Sequence, residues 1–420
     1  MRFSVALTIF RHWLSGPVAI LLFSYFPLHA EDWPQFLGPT RDGHYHGNDL
    51  SVAWPKEGPK QVWKKSVGPG WSAPVVSNDK LVIFHRQGNK EVLECLNAVS
   101  GKGLWTATSP TAYQDDFGFD EGPRATPAIE GNRIFTLGAE GALRAWDLNS
   151  GKELWIVDTQ KQFGTPKGFF GVACSPLVES NAVLVNIGGK NGAGIIALEK
   201  SSGKLLWKAT DAEASYSSPA PATINNKRYI FFFNREGLVA LNPADGKVYF
   251  QFPWRPGISA SVNAATPLII GDLIFLSTSY GRGATVLRFK DSGPEQLWAE
   301  DDVLSNHYAT SVHKDGFLYG FDGRQESGPR LRCVELNTGK VRWTQESLGA
   351  GTVSLADGHL VVVTERGQVI AAPATPDAFK PISRAQLMPF GVRAYPALAN
   401  GYLYVRAKTE LFCFDLRKQP

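Results

Sequence analysis

The stretch ALRAWDLNSGKELW, residues 142–155, decides the fold because the chain keeps restating it. LECLNAVSGKGLW (93–105), IIALEKSSGKLLW (195–207) and LRCVELNTGKVRW (331–343) rewrite the same phrase. Each begins with short apolar alternation, which is the period of a half-buried strand. Each then turns through Gly-Lys, placing Gly101, Gly151, Gly203, Gly246 and Gly339 where a tight hairpin needs positive φ. Trp105, Trp155, Trp207, Trp298 and Trp343 close the phrase, and Phe250 stands in for tryptophan in the fourth copy. A large flat ring on an outer strand can lie over the adjoining sheet, where full burial stabilises by about 1.5–3 kcal/mol. The phrase therefore reads as a docking device between neighbouring sheets.

Small-residue–Pro steps mark where each unit begins. They are SAP (72–74), ATP (125–127), CSP (174–176), SSP (217–219), ATP (265–267) and AYP (394–396), with degenerate ATS (309–311) and TVS (352–354) between. Eight units of roughly 40–50 residues have the period of a propeller, not of a helical solenoid. No segment sustains a helical apolar period, so the expected class is all-β: an eight-bladed propeller of four-stranded antiparallel blades. The last unit ends at LFCFDLRKQP without an outer strand, while KQVWKKSV (60–67) supplies an orphan strand bearing Trp63. The N-terminal strand is expected to complete the last blade, leaving no open edge.

The segments outside the ring read separately. Residues 1–30 have a basic start at Arg2 and Arg11, the apolar run PVAILLFSYF (17–26) and a small residue, Ala30, as at a signal-peptide cleavage point. The expected division is a signal peptide (1–30), an N-terminal extended segment (31–59), the propeller (60–416) and a short tail (417–420). No Cys lies near residue 30 to take a lipid, so the chain is expected in the periplasm or outside the cell, without a transmembrane segment once the leader is gone. Without that leader 41 basic residues face 39 acidic ones, a balance that gives no footprint for nucleic acid. Cys95, Cys333 and Cys413 fall where other copies carry Ala145, Ala197 and Ala240, so they read as small buried side chains and not as disulfide partners.

The repeated A-x-D-x-x-S/T-G-K-x-x-W resembles the tryptophan-docking motif of pyrroloquinoline-quinone (PQQ) repeat propellers, the group of quinoprotein alcohol dehydrogenases and the assembly factor BamB. DWPQFLGPTRDG (32–43) is similar to the leader of exported PQQ-like propellers from planctomycete-type bacteria. The resemblance implies a ligand site at the mouth of the axial channel. Three residues before each anchoring Pro or its equivalent stand Trp71, Arg124, Ala173, Tyr216, Ala264, Tyr308, Gly351 and Arg393, with Asn263 and His307 one residue earlier. Aromatic rings, two guanidinium groups, an amide and an imidazole would suit a planar anion, stacked and clamped; the plain alternative is a set that packs the mouth.

The acidic loop YQDDFGFDEGPR (113–124) does not have calcium-loop spacing, and Phe117 and Phe119 within it are expected to form a flap over the mouth. GGKNGAG (188–194) lacks the Lys-Ser/Thr of a phosphate loop and reads as a hairpin. The quinoprotein enzymes carry adjacent cysteines and an aspartate base beside calcium; neither pattern is present in this ring, so no catalytic residue carries over. Two functions follow. One is an exported, non-catalytic, monomeric binding or scaffold module with an envelope protein or glycan as partner and no cofactor. The alternative is a PQQ- and calcium-dependent alcohol or sugar dehydrogenase with an altered site.

Overall fold

The computed structural model describes residues 30–418, so the expected signal peptide up to its residue 29 and the last two residues of the tail lie outside the described residues. The described residues form eight blades of four antiparallel strands, one of them with an added fifth strand, and in every blade but the last the four run from axis to rim in chain order. Blade 1, for example, comprises Val75–Ser77, Lys80–Gln87, Lys90–Asn97 and Gly103–Pro110. First strands of neighbouring blades pack on one another, which sets them around a common axis. Among the described residues helix is confined to Thr159–Phe163 and a single 3-10 turn, Gln325–Ser327. The last blade is completed by Lys60–Ser66, which pairs antiparallel with Glu410–Asp415 and sets Trp63 opposite Cys413.

The repeated phrase has a specific geometry. The indole N–H of Trp105 donates to Leu148 O of the next blade at 2.9 Å, and Trp155 to Lys200 O at 3.1 Å. Trp207, Trp298, Trp343 and Trp63 make the same bond to Pro243, Leu336, Thr375 and Ala98. At the fourth seam Phe250 rests instead on Phe289 of blade 5, with centroids 5.7 Å apart. Gly151 is required twice over: its φ is 70°, and an added Cβ would stand 2.5 Å from the Trp105 ring. At five blades the glycine turn, at Gly101, Gly151, Gly203, Gly246 and Gly339, is thus the shelf on which the preceding tryptophan lies.

A second device runs around the axis. The middle residue of several anchoring steps offers a hydroxyl to a backbone N–H of the preceding blade. Ala73 N donates to Thr126 Oγ1, Thr126 N to Ser175 Oγ, Ser175 N to Ser218 Oγ and Thr266 N to Thr310 Oγ1, at 2.9–3.1 Å. These groups are buried, so the belt satisfies amides that would otherwise be orphaned.

Blade 7 departs from the pattern in four ways. It has a fifth strand, because His44–Tyr45 of the N-terminal extended segment 31–59, the propeller's own leader as distinct from the signal peptide, pairs parallel with Leu355 and Ala356. Its register pairs Ser354 with Val361 where blade 6 pairs Val312 with Tyr319, so Thr352, not Val353, is the counterpart of Thr310. Its outer strand, Ser383–Gln386, holds no tryptophan; Ser383 fills that place and its hydroxyl accepts the backbone N–H of Trp54 at 3.1 Å. Finally, the belt passes over this blade: Tyr395 of blade 8 bonds through its hydroxyl to both the N–H and the carbonyl of Thr310.

The leader plugs one end of the axis. Trp33 exchanges backbone bonds with Val76 of blade 1, and Pro34 accepts from Ile129 of blade 2. Arg41 is buried, with φ at 59°, and its guanidinium donates to the carbonyls of Ser175, Pro176 and Pro219 at the starts of blades 3 and 4. Burial lowers its pKa to about 10, which leaves it charged at neutral pH. Gly43 accepts from Leu355 of blade 7, and Glu31 from Asn400 of blade 8. Arg406 fastens the closing seam in the same manner, donating to Gly68, Ser72 and Phe84 carbonyls from blade 8.

Candidate functional site

The other end of the axis stays open as a bowl of about 320 Å³. Its walls are the loops that lead into first strands and those joining second to third strands. Its floor includes Phe36 of the plug, packed edge-on against Tyr395 at 5.2 Å. Trp71, Arg124, Ala173, Tyr216, Ala264, His307, Tyr308 and Arg393 all line it. Two expected members do not. Asn263 is buried behind the wall, where its side-chain amide donates to Asn234 O and Trp254 O, so it secures a loop. Gly351 lies within the first strand of blade 7, because that strand starts earlier than its counterparts.

Trp71 stands between the two guanidinium groups, 4.7 Å from Arg124 Cζ and 5.1 Å from Arg393 Cζ. Neither arginine is electrostatically free. Arg124 donates to Asp115 at 3.2 Å and to the carbonyls of Asp120 and Phe170. Arg393 meets Glu365 at 2.6 Å. The bowl presents rings over balanced charge, which weakens the expected clamp for an anion.

The acidic loop owes its shape to Asp115. Its carboxylate accepts the N–H groups of Phe117, Phe119 and Asp120 as well as Arg124. Desolvation pushes its pKa up, but those donors outweigh it and hold the carboxyl below its ordinary value. Asp116 pairs with Lys167, Asp120 accepts from Gly70 and Gly122, and Glu121 faces Arg86. With its carboxylates so engaged, the loop lifts Phe117 and Phe119 to the rim, 53% and 61% exposed. Phe390, 59% exposed, flanks them across an adjoining basin that shares Trp71, Phe119 and Arg393 with the bowl.

Sequence reasoning missed Phe169 and Phe170, which pack against Phe117 at 6.1 and 5.3 Å, and Tyr280 opposite them. The Phe-Phe doublet in the long insertion 159–176 was the available signal. His307 is the imidazole of the bowl; its Nδ1 faces Gln325 Oε1 at 2.7 Å and its Nε2 faces the Tyr280 hydroxyl at 2.8 Å. Burial lowers its pKa, favouring the neutral ring, and both nitrogens are engaged. Tyr308 contributes a buried hydroxyl without a protein partner. The four cysteines are free and buried, and burial pushes Cys95 and Cys174 up to about 11 and Cys333 and Cys413 up to about 12. None is an activated nucleophile.

Docked indoles, glycine shelves and a closing N-terminal strand define a PQQ-repeat β-propeller. The chain belongs to the family described as outer membrane protein assembly factor BamB, which matches residues 88–345 and 327–413. It is 23% identical over 292 residues to BamB of Yersinia pestis, covering 66% of this chain and 70% of that protein. It is 27% identical over 235 residues to the tetrathionate hydrolase of Acidithiobacillus ferrooxidans, covering 53% of this chain and 44% of that enzyme, so it spans less than half the enzyme's length. Quinohemoprotein alcohol dehydrogenase from Comamonas testosteroni shares the fold with a TM-score of 0.65 at 14% identity, over 93% of this chain and 81% of that one. No helix among the described residues is long and apolar enough to cross a membrane.

Proposed function

We propose that this chain is an exported, non-catalytic propeller whose bowl receives apolar side chains of an envelope protein. The observation that carries the reading is the rim: Phe117, Phe119 and Phe390 stand exposed around a cavity whose charges are already paired. Clustered exposed aromatics mark interaction surfaces, and burying them on a partner drives association without new ion pairs. The apolar run 17–26 followed by Ala30 supports export. A glycan partner would use the same rings for stacking.

The quinoprotein alternative fits these residues poorly. PQQ is a tricarboxylate that calls for free cations, whereas Arg124 and Arg393 are bound to Asp115 and Glu365. Calcium calls for several unspent oxygens, and Asp115 already accepts four donors. No two cysteines are adjacent.

Two measurements test the reading. Photo-crosslinking from the rim in envelope extract should capture a protein, and the Phe117→Ser/Phe119→Ser/Phe390→Ser variant should lose it. Capture that disappears after glycosidase treatment alone would make the partner a glycan. Titration with PQQ and Ca²⁺ should leave no bound quinone absorbance; bound quinone with dye reduction by alcohols would overturn the binding-module reading.

A further inference from the structure

The plugged face carries chemistry that the bowl does not use. From Arg41 to His46 burial alternates strictly, with Arg41, Gly43 and Tyr45 inward and Asp42, His44 and His46 outward. Arg41 and Gly43 turn the backbone through positive φ and only His44–Tyr45 is strand, and this turn into a short strand leaves the outward three on one side. Their donor atoms lie within 4.8 Å of one another, and the two imidazole centroids are 4.4 Å apart. Thr40 Oγ1 sits 2.7 Å from Asp42 Oδ1 and 3.3 Å from His46 Nε2, so carboxylate and imidazole already converge on one point. Two backbone contacts fix the spacing: His44 N–H donates to Asp42 Oδ1 at 3.0 Å, and His46 N–H to Glu31 Oε2 at 2.6 Å.

We propose that Asp42, His44 and His46 form a binding site for a divalent first-row transition ion. Two imidazoles and a carboxylate are the donor set that such ions take, while Mg²⁺ and Ca²⁺ prefer oxygen throughout. Three protein ligands leave at least one position for water or for an oxygen such as that of Thr40. Zinc bonds of about 2.0–2.1 Å place tetrahedral donors about 3.3 Å apart. The exposed His46 ring is the part able to turn inward and close that difference. The site also has a mechanical consequence, because His44 belongs to the strand that pairs with Leu355 on blade 7. An ion held there fastens the plug to blade 7, whose own outer strand lacks the docking tryptophan.

The test uses tag-free protein and Zn²⁺ competed against a chromophoric chelator. The expected result is one equivalent of Zn²⁺ per chain, unaffected by excess Mg²⁺ or Ca²⁺. His46→Ala and His44→Ala should each weaken binding by at least about tenfold, and His359→Ala, two strands from Tyr45 in the register and outside the cluster, should leave it unchanged. Zn²⁺ should also raise the unfolding temperature of the wild type but not of His44→Ala/His46→Ala, whose fold is checked by circular dichroism. Absence of stoichiometric binding, or equal binding by wild type and the folded double variant, would overturn the proposal.

Discussion

Blade 2 and blade 7 come from the same repeat and are held in place by different means. Blade 2 uses its own residues: Trp155 reaches Lys200 on the next blade, and Thr126 both accepts from Ala73 and donates to Ser175. Blade 7 lacks the tryptophan, its Thr352 hydroxyl has no protein partner, and its neighbours are joined over it by Tyr395. Trp54 and the strand His44–Tyr45, both from the leader, cover what its sequence has lost. A ring tolerates one decayed unit when residues outside the repeat supply the missing contacts. The leader is therefore part of the propeller's stability as well as its plug.

The widest gap should open at the docking tryptophans. Trp155→Ala removes a ring that is only 9% exposed together with its inter-blade hydrogen bond, and should cost about 3–5 kcal/mol in denaturant unfolding. A loss under about 1 kcal/mol would mean the ring does not hold blades 2 and 3 together. Tyr395→Phe comes next. It strips the bridge over blade 7 and leaves the Thr310 N–H buried and unpaired, for about 1–3 kcal/mol. Trp54→Ala should cost about 1–2 kcal/mol, since the side chain is half-buried and its indole nitrogen makes no hydrogen bond. If Trp54→Ala proved as severe as Trp155→Ala, the borrowed ring would be equivalent to a native one and the contrast would vanish.

The ring itself was legible because its determinants recur: alternation, a glycine turn and a terminal tryptophan are local signals repeated often enough to average out exceptions. The mouth was legible to the extent that position within the repeat fixes position in space, and Trp71, Arg124, Tyr216 and Arg393 line one bowl. Position does not say what a side chain does once there. Asn263 turned to satisfy Asn234 and Trp254 carbonyls, and the arginines were neutralised by Asp115 and Glu365 from other loops. Nothing local announces such pairings between segments far apart in sequence. Arg41 was illegible for the same reason, since its three carbonyl partners come from two blades more than a hundred residues away.

The hydroxyl belt gives the finest comparison, because one substitution can be made at two aligned positions. Thr126→Val removes the acceptor of the buried Ala73 N–H, and that orphaned donor should cost about 1–3 kcal/mol. Thr352→Val removes a hydroxyl that is buried and bonded to nothing in the protein, while leaving a side chain of nearly the same shape. A polar group without a partner contributes only its desolvation penalty, so its replacement by methyl should be neutral or stabilising by up to about 1 kcal/mol. Parallel chemical denaturation of the two variants reads the difference directly. Equal losses would mean that Thr352 has a partner in solution, such as a bound water, and that blade 7 still belongs to the belt.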